Sequence, residues 1–215
     1  MPGYLGIDLT GTAARPTDFA YLSADLGRAG AGLARTDADL LATVAHLRPS
    51  VVAIDAPLGF PTGWGCLDAP CTCGRCAAPE SDRRRRSEVE LRQRGIACYW
   101  TTRRSIIKGM IYRAVGLIPA LRETGAEVIE VYPFAAKVRL WGRPLPKKST
   151  PEGLAWYEAR SRQLLPAIAA LPGPFSHDAV DALLAAYTGY LHTLGRTEVL
   201  GLAEEGQIVL PLAAS

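Results

Sequence analysis

The sequence predicts an α/β fold: a mixed five-stranded sheet flanked by helices, with a cysteine-containing segment inserted into it. Three observations carry that prediction. The chain opens with three strand-like runs, a helix and a further strand, in that order. Its apolar strands end in or contain acids, at Asp8, Asp55 and Glu130. A late helix rich in Ala and Leu carries Asp178 and Asp181 in its first turns.

Taken in order, Tyr4 to Leu9 reads as a buried strand and Thr10-Gly11-Thr12 as a turn. Phe19 to Leu26 and Gly30 to Thr36 read as two strands joined by a hairpin at Gly27-Arg28-Ala29. Thr36 or Asp37 caps a helix to about Leu47, with Leu40, Leu41, Val44 and Leu47 on one face. Val51-Val52-Ala53-Ile54-Asp55 has the β-branched run of a strand covered on both faces. Residues 60–80 break this rhythm with Pro, Gly and four of the five cysteines, and read as an inserted loop. A charged helix from about Asp82 to Arg94 follows, stopped by Gly95, and then a helix from Ser105 to Leu121. Glu127 to Tyr132 is a strand ended by Pro133, and Thr150-Pro151 opens a helix to about Leu165.

Pro172-Gly173-Pro174 breaks the chain before the late helix, which Ser176 caps. Stepping about 100° per residue, one face holds Asp178, Asp181, Ala182, Ala185 and Gly189, and the opposite face Val180, Leu183, Leu184, Tyr187 and Leu191. In isolation the two acids would complement the helix dipole. Their place on the small-residue, close-packing face instead predicts burial, and buried carboxylates need a compensating cation. Residues 198–202 and 207–212 read as a terminal hairpin.

At 215 residues the chain suits one domain spanning 1–215, and 48% hydrophobic residues supply a core. No apolar run reaches the ~18 residues of a membrane span. Met1-Pro2-Gly3-Tyr4 leads straight into a strand, so the expectation is a cytoplasmic protein with no membrane partner. A net charge of +3 permits nucleic-acid binding without requiring it.

Sites in open α/β sheets form at the carboxyl ends of parallel strands, where Asp8 and Asp55 stand. Asp8, Asp55, Glu130, Asp178 and Asp181 form the candidate catalytic set, with Asp8, Asp55 and Asp181 as core metal ligands. Carboxylates without matching His suit Mg²⁺ or Mn²⁺ better than Zn²⁺, and two such ions suit in-line displacement at a phosphodiester.

Gly6-Ile7-Asp8, Ala53 to Gly59, Glu88 to Gly95, Glu130 to Pro133, Lys147 to Gly153, His177 to Thr188 and Glu205 to Pro211 together resemble a family of predicted RNase H-like nucleases, domain of unknown function 429. His177 to Leu183 also resembles the last acidic motif of RuvC-type junction resolvases, although Asp55 stands where resolvases carry Glu. The resemblance implies an RNase H-like fold and metal-dependent hydrolysis of nucleic-acid phosphodiesters by a two-metal mechanism. Nucleic acid is then the expected partner, and a homodimer a candidate assembly.

Candidate phosphate contacts are Arg83, Arg86, Arg103, Arg104, Lys108, Lys147 and Lys148; the alternative is a solvated face offset by Glu88 and Glu90. Tyr99 and Trp100 lie among them as candidate stacking residues or as core. Cys66, Cys71, Cys73 and Cys76, spaced C-x4-C-x-C-x2-C, are compatible with structural Zn²⁺, with disulfides or with free thiols. Two rival functions remain: an ATP-binding phosphotransferase of the sugar-kinase and actin superfamily, and a non-catalytic nucleic-acid-binding scaffold. The first needs a phosphate turn, and Gly11 falls one place late for it.

Overall fold

The computed structural model describes residues 3–77 and 83–213. Strands β1 (Tyr4–Asp8), β2 (Thr17–Leu22) and β3 (Ala29–Ala34) form an antiparallel meander. Helix α1 (Asp37–Leu47) starts at a capping box, in which Thr36 and Asp39 bond each other's backbone N–H groups. Strand β4 (Val51–Ile54) then pairs parallel to β1. After the cysteine segment come helices α2 (Arg86–Gln93) and α3 (Lys108–Glu123), and strand β5 (Glu127–Val131), parallel to β4. Helices α4 (Pro133–Trp141), α5 (Pro151–Leu164) and α6 (His177–Thr193) follow, and β6 (Thr197–Leu200) and β7 (Ile208–Pro211) close the chain.

Among the described residues the sheet has seven strands, ordered β3-β2-β1-β4-β5-β7-β6, rather than five. The terminal hairpin is the difference. It adds β7 parallel to β5 and β6 antiparallel to β7. This covers the β5 edge, whose backbone groups would otherwise lack partners.

Side-chain parity divides the core. Tyr4, Val51, Ala53, Ile129 and Val131 face one layer with α5 and α6. Leu5, Ile7, Val52 and Ile54 face the other with α1 and α3. Helix α6 is buried on both its faces, the small face on the sheet and the bulky one under Tyr157, Leu165 and Ile168. Each buried Leu or Val of that bulky face contributes about 1.5–3 kcal/mol. The small face permits very close approach. A Cβ at Gly6 would overlap the Ala182 carbonyl and the Ala186 nitrogen, and Gly189 lies over Val51 and Ala53.

Three helix expectations need correction. The start expected at Asp82 lies outside the described residues, and α2 begins only at Arg86; Arg85 stands before it in extended conformation, with its side chain fully buried. Helix α3 begins at Lys108, not Ser105, and runs to Glu123. Helix α4 is unforeseen: Pro133, read only as a strand end, occupies its first turn, where a missing N–H costs nothing. The second strand also stops at Leu22. There the Ser23 hydroxyl accepts from Arg28 N–H, closing the turn early.

Candidate active site

The register Ile7↔Ile54 sets Asp8 and Asp55 side by side just at the carboxyl ends of β1 and β4. The Asp55 N–H still bonds the Ile7 carbonyl at 2.8 Å. Both acids follow the parity of Gly6 and Ala53, so both lie on the α6 side. The Ser176 cap on Ala179 N–H starts α6 above them, bringing Asp178 and Asp181 to the same place. Four of the five expected acids therefore converge.

Their electrostatics show the convergence. Burial, then the charges of Asp55 and Asp181, push the Asp8 carboxyl up to about 10, and the Asp178 side chain lies within hydrogen-bonding reach of it. Burial, then Asp181, also raises Asp55 well above the carboxylate range, although Lys137 and Lys148 pull the other way. Asp178 is half-exposed, with its Oδ1 2.6 Å from His177 Nδ1. Asp181 is buried and pairs with two lysines: Lys137 Nζ at its Oδ1, and Lys148 Nζ 3.4 Å from its Oδ2.

Two members of this site are absent from the sequence-based set. Lys137 comes from α4, is buried, and packs its ammonium 4.7 Å from the Tyr157 ring centre. Its signal was Pro133 as a helix start, which puts Lys137 one turn in. Asp18 stands directly opposite Asp8 across the β1–β2 ladder, and so on the same face. The Ser176 hydroxyl donates to it at 3.4 Å, and burial, then Asp178, raises its pKa. Only the hairpin register could have found it.

Glu130 reaches the site from the other face of the sheet. Ile129 and Val131 take the α6 side of β5, so Glu130 points to the opposite side. There Arg85 grips it with two bonds, Nη1 to Oε1 at 2.8 Å and Nη2 to Oε2 at 2.6 Å, while Leu58 N–H donates to Oε2 at 2.8 Å. Arg85 also donates to the Glu205 and Gly206 carbonyls, both at 2.8 Å. Both Glu130 oxygens are thus engaged by Arg85 and Leu58, while the residue still lines the cleft that holds Asp55 and Asp181 and its charge helps raise the Asp55 carboxyl.

The basic residues separate as well. Of the seven, Lys148 reaches the acids. Lys147 beside it is exposed, as is Arg104, and Lys108 sits half-buried at the start of α3. Arg83 donates to the Thr62 carbonyl at 2.9 Å, and Arg86 pairs with Glu90 at 2.8 Å. Arg103 stacks on Trp64 at 5.0 Å. A cleft of about 420 Å³ holds the acids, lined by Asp55, Lys137, Lys148 and Asp181, by Arg85 and Glu130, and by Tyr99, Ile107, Met110 and Phe134. Tyr99 is 60% exposed, as a stacking residue requires, whereas Trp100 is covered by Arg84 and Arg92.

Away from this cleft, the Cys66, Cys71, Cys73 and Cys76 sulfurs come together within 4.8 Å of one another, close enough to hold one metal ion. The acid oxygens are spread more widely. No helix among the described residues is long and apolar enough to cross a membrane.

A mixed sheet with aspartates gathered at parallel strand ends defines an α/β protein with an acidic site. More narrowly, the chain belongs to the family described as "Protein of unknown function (DUF429)", whose model matches residues 6–205. Among solved structures it is similar to Thermus thermophilus RuvC, with 16% identity, a TM-score of 0.47, and coverage of 89% of this chain and 95% of that one. No curated protein matches it.

Proposed function

We propose that this protein is a nuclease that hydrolyses nucleic-acid phosphodiesters with Mg²⁺ or Mn²⁺ held by Asp8, Asp55 and Asp181, with Asp178 beside them. The observation that carries the reading is an acid cluster in which four aspartates face only two lysines. Asp8 is pushed up to about 10 by burial and by its acidic neighbours, while the two lysines at the site pair with Asp181. Such a set is unfavourable unless protonated or bound to cations, and its donors are all hard oxygens. A cation bound there supplies an activated water and charge at the leaving oxygen.

The chain's own residues do the rest. Lys137 holds Asp181 in place and is itself fixed by Tyr157, whose hydroxyl donates to the Pro146 carbonyl at 2.8 Å. Lys148 is half-exposed at the cleft and contacts the phosphate, with the exposed Lys147 beside it in the loop before α5. Tyr99 and Phe134 offer exposed rings on which a base stacks. The strand order of β3-β2-β1-β4-β5 supports the RNase H-like reading.

The phosphotransferase alternative fares worse. The Thr10–Thr12 turn gives its carbonyls to Arg113, whose Nη1 bonds Thr10 O at 2.9 Å and Thr10 Oγ1 at 2.8 Å. A nucleotide-phosphate turn would instead present free N–H groups.

The test is cleavage of labelled single-stranded, duplex and four-way-junction DNA and RNA with Mg²⁺ or Mn²⁺. Wild type should cut at least one substrate, and Asp8→Asn should lose several orders of magnitude in rate. Equal cutting by both, or none by either across the panel, defeats the reading.

A further inference from the structure

The cysteine segment poses a question of its own. Residues 61–77 contain neither helix nor strand. Few backbone bonds hold them, among them Trp64 N–H to Pro61 O at 2.9 Å and Ala77 N–H to Gly63 O at 2.7 Å. Yet Trp64, Cys66 and Leu67 are buried. A segment this irregular orders itself around something other than its backbone.

The sulfurs give the geometry. Cys66 lies 3.4 Å from Cys71 and 3.8 Å from Cys76, and Cys73 lies 3.5 Å from Cys71 and 3.7 Å from Cys76. A tetrahedron with zinc–sulfur bonds of about 2.3 Å has edges of about 3.8 Å. Two disulfides would gather the sulfurs into two close pairs, whereas here every sulfur has two neighbours at similar distances. Backbone N–H groups of Gly65 and Arg75 point at Cys76 and Cys73, at 3.2 and 3.4 Å, donors that stabilise thiolates. Gly74, at φ +67°, makes the left-handed turn that lets Cys73 and Cys76 share one centre. Four thiolates in a tetrahedron leave no open position, the mark of a structural rather than a catalytic site.

The segment is also tied to the acid cleft. Leu67 N–H donates to the Tyr112 hydroxyl at 2.6 Å, and Thr62 donates twice to Glu205. Trp64 and Leu67 pack on Ile111, with Ile107 beside them, and Ile107 also forms the cleft wall.

We propose that Cys66, Cys71, Cys73 and Cys76 bind one zinc ion as a closed tetrathiolate site, and that this ion clasps the segment against the start of α3, fixing that wall of the cleft. Cys98 plays no part, since it lies under α2 with its thiol toward the Glu88 carbonyl.

The test needs no nuclease activity, so it stands or falls apart from the reading above. Elemental analysis of the full chain, purified without chelator, should give about one zinc per chain. Cys71→Ser with Cys73→Ser should reduce this at least about tenfold, and Cys98→Ser should leave it intact. Replacement by Co²⁺ should give the intense thiolate-to-metal absorption of a four-sulfur tetrahedral site. Stripping zinc should speed hydrogen exchange at least about tenfold in residues 62–77 and 107–112, leaving β1 and β4 unchanged. Metal-free protein lighter by two hydrogens per disulfide, iron in place of zinc, or zinc retained by the double variant would each overturn the site. Unchanged exchange after stripping would overturn the clasp.

Discussion

Replacing Asp8 by Asn keeps the side chain's shape and removes its charge. In the metal-free protein the Asp8 carboxyl is raised from the usual 3.8 to about 10, first by burial, then by Asp55 and Asp181. The folded state therefore holds a proton that the unfolded chain releases at about pH 4. A raised acid destabilises the fold increasingly as pH climbs from about 4 towards 10, at a limiting slope of about 1.4 kcal/mol per pH unit. Water at the partly open cleft screens the repulsion, so between pH 6 and 9 wild type should lose about 1–4 kcal/mol relative to Asp8→Asn. The assay is urea unfolding in EDTA at pH 6, 7, 8 and 9, followed by circular dichroism. Magnesium should then reverse the order at pH 8, stabilising wild type more than the variant, because bound cations replace the proton. Parallel pH profiles for the two proteins would refute the claim that Asp8 is held against its charge.

Two further substitutions probe the surrounding frame. Glu130→Gln removes the two-bond counter-charge of the buried Arg85 guanidinium and leaves it only the longer Glu88 pair at 3.7 Å. It should cost about 2–4 kcal/mol in urea unfolding while changing Mn²⁺ affinity, read by calorimetry, far less than Asp8→Asn does. Loss of metal binding with stability retained would return Glu130 to the ligand set. Gly6→Ala places a methyl group into the α6 backbone at Ala182 and Ala186, which cannot yield as a flexible side chain would. It should destabilise by about 3 kcal/mol or more and lower metal affinity, because α6 carries Asp178 and Asp181. A neutral Gly6→Ala in thermal melts would show that α6 does not approach β1 this closely.

Much of this arrangement was legible in the sequence. The order of elements along the chain, the parallel strands that end in Asp8 and Asp55, and the packing of α6 through Ala182, Ala185 and Gly189 follow from local pattern and short connections. The misses share a cause: they depend on register between segments distant in sequence. Glu130 looked like Asp8 and Asp55 because each is an acid in an apolar strand. Counting parity from Ile129 and Val131 sends it to the other face, but which face holds α6 is a tertiary fact. Asp18 enters through its pairing with Asp8, fixed by a turn at residues 9–16 whose length the pattern does not reveal. Arg85 stood within a run of four arginines, and local sequence gave no reason for one of them to be buried. Its burial follows from the Glu130 carboxylate and the Glu205 and Gly206 carbonyls, 45 to 121 residues away. The terminal hairpin was foreseen as a hairpin; that it extends the sheet depends on the β5 edge being open to it.

The central claim is that the aspartates at the ends of β1 and β4 and the start of α6 hold hard divalent cations. The most direct measurement is anomalous diffraction from crystals soaked in Mn²⁺. The account predicts strong density bounded by the Asp8, Asp55 and Asp181 carboxylates in wild type, and its loss from the same position in Asp8→Asn. Crystals of wild type in which Mn²⁺ sits elsewhere, with this cleft empty at millimolar metal, would contradict it.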